Sequence, residues 1–229
     1  MAPLGLLLPI ALWLTFQHKP GWYRPISADD AITQRARLEV ANLADSISDA
    51  LVHRRPFELV LSDHSLNEWL AALPQVWPDV AEQWPRELTQ PAVSFQRDRI
   101  RLGVHGETRG WRVILGFAFL LSADDGDDAM RLTLSGMQGG SLPIPRFLIR
   151  RSLQSAAENH ADTAALTAQP DPTRPLELEN LLDSPRSVDE WFAGVRVRNR
   201  FIWPNGRRPF RIGALSITDG ELRARLDPL

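Results

Sequence analysis

Three contiguous residues, Asp63, His64 and Ser65, have the types that form nucleophilic triads. Triad members, however, meet in space in fixed roles, and the hydrolase serine commonly occupies a Gly-x-Ser-x-Gly turn, which this sequence lacks. A polar first helical turn explains the same residues. We therefore predict no catalytic residue and classify the chain as non-enzymatic, while an enzyme of unfamiliar chemistry stays open as a third alternative.

Metal ligands are equally sparse in the sequence. There is no cysteine, and no two of the five histidines stand at the i, i+4 spacing of a helical metal site. The acidic run Asp124–Asp128 resembles a calcium loop, but such a loop needs glycine at its sixth position and glutamate at its twelfth. Here Gly126 is third and Ser135 is twelfth. We therefore predict a solvated turn, no metal and no cofactor.

Basic residues are concentrated near the C-terminus. Arg196, Arg198 and Arg200 alternate, so in a strand they share one face. That face is either a solvated exterior or a surface that contacts anionic lipid headgroups. The formal net charge of the 229 residues is −2, which argues against a dedicated nucleic-acid binder.

The N-terminal run from Pro3 to Phe16 contains no charged residue. It is shorter than the roughly 20 residues of a spanning helix, so an anchor, a cleaved signal peptide and a buried element remain possible. We favour a membrane anchor over residues 1–24, with Trp22 and Tyr23 at the interface. We expect an extracytoplasmic domain, although Lys19 and Arg24, taken alone, favour the opposite orientation.

Residues 25–229 then predict one soluble α+β domain. Apolar residues recur every three or four positions over 27–53, which indicates an amphipathic helix capped by Ser27. Ser62 should cap a second helix from Asp63 to Leu73, before a proline-rich loop over 74–91. Alternating segments predict an antiparallel sheet. A further helix is predicted at 146–160 and a polar internal loop at 161–186. The predicted strands are 57–61, 93–96, 99–107, 111–121, 130–137, 195–203, 210–217 and 221–226, the last two joined at Asp219-Gly220.

Three segments resemble YpmS-like bacterial proteins, which are single-pass anchored proteins of uncharacterised activity. Phe57–Asn67 resembles their opening strand followed by Ser/Thr and Leu-Asn, and Gly136–Pro145 resembles their Leu-Pro-Leu-Pro junction. Phe210–Leu226 resembles their closing strand pair. The resemblance implies a tubular lipid-binding, TULIP-like fold, in which a curved antiparallel sheet wraps around two or three helices and leaves an apolar groove. From the residues alone, Asn67 is expected to close backbone hydrogen bonds rather than to contact a ligand.

These observations favour a membrane-anchored, non-enzymatic envelope protein whose domain binds a lipid or another apolar ligand. A membrane-tethered protein-interaction scaffold, or an accessory subunit of a membrane complex, is the alternative. Membrane lipid is the expected partner, a protein partner is possible, and no nucleic acid is expected. Seven apolar residues are expected to line the groove: Leu70, Trp77, Trp84, Phe117, Phe119, Leu142 and Ile144.

Overall fold

The computed structural model describes residues 12–84, 88–108, 111–123, 129–149, 188–203 and 208–229 of the chain. Over these residues the protein combines antiparallel strands with helices, which confirms the predicted α+β class. The first part of the predicted anchor (1–11), the acidic turn at 124–128, and the helix and loop predicted over 150–186 lie outside the described residues. In the described part, no helix is both long and apolar enough to cross a bilayer.

The first long helix, α1 (Asp30–Val52), buries the predicted apolar stripe, with Ala36, Ile47 and Leu51 inside. The predicted cap at Ser27 is wrong. Asp29 caps the helix instead, because its carboxylate accepts a hydrogen bond from the Ile32 amide at 2.7 Å. A carboxylate at this position also interacts favourably with the helix dipole.

The next segment runs from β1 (Phe57–Ser62) into α2 (Asp63–Ala71). Ser62 caps α2 as predicted, and its hydroxyl accepts from the Ser65 amide at 2.9 Å. The predicted loop over 74–91 contains two short helices, α3 (Leu73–Val76) and α4 (Pro78–Gln83). Each has a proline in its first turn, where a missing amide hydrogen costs no helical bond. The prolines therefore start helices here.

Four strands form the C-terminal sheet in the order β1-β10-β9-β8. Its inner face packs against α1 around Ile47, Leu51 and Phe210. The turn between its two longest strands is the predicted Asp219-Gly220, and Gly220 has a φ of 80°, which favours glycine. The strands other than β1 are β8 (Phe201–Trp203), β9 (Arg208–Thr218) and β10 (Glu221–Pro228).

Six strands form the central sheet, in the order β2-β3-β4-β5-β6 with β7 also paired to β5. All of its pairings are antiparallel. The strands are β2 (Leu88–Gln96), β3 (Arg99–Thr108), β4 (Trp111–Ala123), β5 (Ala129–Gly139), β6 (Leu142–Pro143) and β7 (Val195–Arg198). The short helix α5 (Val188–Ala193) precedes β7.

The single strand predicted over 195–203 is two strands in two different sheets. The chain changes sheet at Asn199, whose side chain is buried. Its amide donates to the Ile212 carbonyl at 2.9 Å and accepts from the Ile212 amide at 2.8 Å. The sequence suggested one strand because Val195, Val197, Phe201 and Trp203 keep the same alternation, although the polar Asn199 interrupts it at the change of sheet.

The two sheets meet through an apolar layer that contains Val93, Phe95 and Ile217, with Leu66 of α2 beside it. Their turns are also joined, since Gly220 donates its amide to the Phe95 carbonyl at 3.0 Å. The strands therefore form two sheets instead of the single wrapped sheet that was predicted, and in the described residues neither closes on itself. Helices α1 and α2 cover their inner sides.

Candidate ligand-binding cavity

The end of α2 forms the first wall of a cavity. Ser62 fixes where α2 begins, and the helix ends at Ala71, before α3 turns away with Pro74 in its first turn. Leu70, Ala71 and Leu73 consequently present apolar side chains at the helix–helix corner, and all three line the cavity. The corner stays open on this side because α3 is too short to extend back over α2.

The irregular beginning of β2 forms the opposite wall. The register between β2 and β3 shifts between Thr89 and Ala92, and Gln90 has a φ of 50°. Pro91 has no amide hydrogen for a ladder bond, which explains why the pairing is interrupted here. Trp84 reaches this wall and donates its indole N–H to the Leu88 carbonyl at 2.6 Å.

The third wall belongs to the N-terminal arm, which we define as residues 18–28. Tyr23 fastens the arm because its ring is only 2 % exposed and its hydroxyl donates to the Gln90 carbonyl at 2.7 Å. Burial raises the pKa of Tyr23 to about 12. Ile26 and Ser27 follow and complete the cavity lining. Tyr23 and its neighbour Trp22 were expected at a membrane interface, but they pack against the central sheet.

The apolar cavity enclosed by these walls has a volume of about 320 Å³. This lies at the small end of ligand sites, which span roughly 300–1,000 Å³. Most of its lining is apolar, and Ser27, Thr89 and Gln90 supply the polar groups. None of the described lining residues carries a side chain that titrates near neutral pH, so none of them is a candidate general acid or base.

Two of the seven predicted groove residues, Leu70 and Trp84, line this cavity. Trp77 packs against Trp69, edge to face with ring centroids 6.1 Å apart. Phe117 and Phe119 stack on one another along β4 at 6.5 Å.

Leu142 and Ile144 lie at the other end of the central sheet. Leu142 pairs with Gly139, and Ile144 donates its amide to the Met137 carbonyl. These five residues therefore do not line the apolar cavity. Ile26, Leu73 and Leu88 also line the cavity and were not predicted. Ile26 and Leu73 are each next to a proline, and no local feature marks Leu88.

The residues that first suggested catalysis have structural roles. Ser65 is engaged in the Ser62 cap through its amide and its hydroxyl. His64 is largely exposed and lies 3.5 Å from the Glu68 carboxylate. Asn67 acts as predicted: its side chain bonds both the amide and the carbonyl of Val93. Among the described residues, no cluster of three or more potential ligands could hold a metal ion.

No family model matches the chain, and neither the curated proteins nor the solved structures include one with significant similarity to it. The resemblance to YpmS-like proteins therefore remains a prediction that depends on the three short segments.

Proposed function

We propose that this chain is a membrane-tethered, non-enzymatic protein whose apolar cavity binds a lipid chain or a similar apolar ligand. The observation that carries the proposal is the cavity of about 320 Å³ between α2, β2 and the N-terminal arm, lined by Leu70, Leu73 and Trp84. Its walls come from three separate parts of the chain, and most of the lining residues are apolar. Such sites hold ligands mainly by removing apolar surface from water.

The size of the cavity selects one chain rather than two. Each buried methylene contributes about 0.8 kcal/mol, so a segment of about six would contribute roughly 5 kcal/mol before the cost of association. Even before that cost, 5 kcal/mol corresponds to a Kd of only about 0.2 mM, so the net affinity is at best near millimolar. The cavity therefore suits reversible binding of a single acyl chain, and the polar groups of Ser27 and Gln90 suit a headgroup at the entrance.

The N-terminal sequence supports a membrane tether and a place in the cell envelope. The run from Pro3 to Phe16 is uncharged. Where it enters the described residues, it is helical over 12–17, and Trp13 and Leu14 are 41 % and 63 % exposed. Apolar and aromatic side chains that face outward from a helix are typical of membrane contact. We place the domain outside the cytoplasm.

The ligand is tested with the full chain, purified from membranes in mild detergent. Mass spectrometry of a solvent extract should detect a co-purifying lipid, at less than one per chain because the affinity is weak. A dibrominated fatty acid should quench tryptophan fluorescence saturably, and Trp84→Phe should remove the largest part of that quenching because Trp84 lines the cavity. Trp191→Phe, in α5, is the matched control and should leave the quenching unchanged.

A cavity-filling variant tests the same site by affinity. Ala81 of α4 lines the cavity, and Ala81→Phe should weaken binding of the brominated fatty acid at least tenfold. Ala41→Phe, on the exposed side of α1, adds the same ring outside the cavity and should leave the affinity for the fatty acid unchanged. Equal affinity in both variants, with no lipid in the extract, would overturn the proposal. A single dominant cross-linked protein together with these results would favour the tethered scaffold instead.

A further inference from the structure

The N-terminal arm lays an indole ring across the central sheet at a pair of glycines. Gly103 of β3 and Gly116 of β4 stand directly opposite one another. A Cβ atom built on Gly103 would lie 2.8 Å from Trp22 Cη2, and one built on Gly116 would lie 3.0 Å from Trp22 Cζ2. A side chain at Gly103 would displace Tyr23 and Trp22, and one at Gly116 would crowd Gln138 and Trp22, so the glycine pair forms a slot that holds Trp22 beside these two residues.

Two N–H donors buried at this slot have no partner. Within the described residues, neither Trp22 Nε1 nor Gln138 Nε2 makes a hydrogen bond, and both atoms are inaccessible to solvent. Both side chains approach Gly116, because the same Cβ position lies 3.1 Å from Gln138 Nε2. A buried donor left unpaired costs roughly 1–3 kcal/mol, so two beside one another call for an acceptor.

Two arginines face the same place. Arg99 and Arg101 share one face of β3 and line a pocket of about 160 Å³ together with Trp22 and Gln138. The Arg101 guanidinium lies 5.6 Å from the centre of the Trp22 ring. Burial and the neighbouring Arg99 charge lower the pKa of Arg101. Among the described residues, no carboxylate forms an ion pair with either arginine.

We propose that this donor pocket, formed by Trp22, Arg99, Arg101 and Gln138, binds a phosphate group. Guanidinium and indole groups only donate hydrogen bonds, and the two arginines add positive charge, so the expected ligand is an acceptor with negative charge. The two buried donors become reachable when the Trp22 or Gln138 side chain shifts on binding. Arginine forks match the geometry of phosphate oxygens, and the pocket has room for one such group. The phosphate can come from a lipid headgroup or from solution.

The donor pocket and the apolar cavity have no lining residue in common. Either site can therefore fail without the other, and the phosphate proposal does not depend on the apolar ligand. The opposing explanation is internal. Rotating the Gln138 amide by 180° exchanges its oxygen and nitrogen, and the oxygen could then accept from the Trp22 indole. The experiment must separate that internal bond from an external ligand.

The test follows the indole N–H of Trp22 by NMR in the full chain, labelled with ¹⁵N-tryptophan and assigned with Trp22→Phe. Titration with inorganic phosphate should move this resonance saturably. Arg99→Gln and Arg101→Gln should each raise the apparent Kd at least tenfold. Arg112→Gln is the matched control, because Arg112 lies on the same face of the central sheet but pairs with Glu107; it should change nothing.

Vesicles distinguish the two sources of phosphate. If phosphatidylcholine vesicles containing phosphatidic acid shift the resonance at lower phosphate concentration than the free ion, while pure phosphatidylcholine does not, the ligand is a lipid headgroup. A shift with free phosphate alone assigns a soluble ligand. The absence of a saturable shift with any probe would overturn the proposal. It would also be overturned if Gln138→Met moves the Trp22 resonance before any ligand is added and phosphate does not move that resonance.

Discussion

This fold contains two pairs of side chains with buried polar atoms, and only one of the pairs is hydrogen-bonded. Asn67 and Asn199 lie in different parts of the molecule, yet each bonds both the amide and the carbonyl of one strand residue, at 2.6–2.9 Å. Trp22 Nε1 and Gln138 Nε2 are buried as well and bond nothing in the described residues. Buried polar groups that hold the fold together are paired, so the unpaired donors point to a ligand.

The asparagines are needed because the strands they serve would otherwise have open edges. Val93 belongs to β2, which lies at the edge of the central sheet, just beyond its register shift. Ile212 belongs to β9 and lies beyond Phe210, which pairs with the first residue of β8. A side-chain amide offers one donor and one acceptor and so completes both edges. It also blocks edge-to-edge association with another chain.

The largest effect should come from breaking one asparagine pair. Asn67→Ala leaves the Val93 amide and carbonyl buried without partners. We expect the free energy of unfolding to fall by about 3 kcal/mol, since each orphaned group costs roughly 1–3 kcal/mol. Urea denaturation should show a lower midpoint with an unchanged m-value.

Asn42→Ala is the matched control for this change, because Asn42 lies on the exposed side of α1. The free energy of unfolding of this variant should stay within about 0.5 kcal/mol of that of the parent protein. Equal midpoints for the two variants would mean that the Asn67 amide contributes no more than a surface side chain, and the contrast with the unpaired donors would then fail.

A smaller, pH-dependent effect on the free energy of unfolding should come from Tyr23, which is next to Trp22 in the N-terminal arm and is hydrogen-bonded. Burial raises its pKa from 10.0 to about 12. Because the folded protein keeps the proton longer than the unfolded chain does, this stability is fully present below pH 10.0 and is lost as the pH rises through about 12. The loss should be on the order of 2 kcal/mol.

Tyr23 is the only tyrosine, so absorbance at 295 nm reports it directly. The folded protein should titrate near pH 12, and the guanidinium-unfolded chain near 10.0. Tyr23→Phe should abolish the pH-dependent change in absorbance. A folded midpoint equal to the unfolded one would show that the phenol is solvated, and that the arm is not fastened to Gln90 as described.

Local patterns in the sequence predicted α1, α2 and the Ser62 cap, but they missed the Asp29 cap, the short helices α3 and α4, and the contacts made by the arm. The stripe of α1 and the Ser62 cap follow from spacing within one element, and Asn67 follows a cap at a strand–helix junction. Trp22 instead meets Gly103 and Gly116, far along the chain, and nothing near it in sequence signals that contact. Ile26 and Leu88 meet at the cavity for the same reason: only tertiary packing brings them together.

The smallest effect on stability is expected where a buried donor has no partner to lose. Gln138→Met keeps the length of the side chain and removes the Nε2 donor. The free energy of unfolding should stay unchanged or rise by up to about 1 kcal/mol, because a desolvated, unpaired group is replaced by an apolar one. Gln34→Met, on the exposed side of α1, is the control for the residue change itself. A loss of 2 kcal/mol or more by urea denaturation would mean that the Gln138 amide is already bonded inside the protein, and the two pairs of side chains would then be alike.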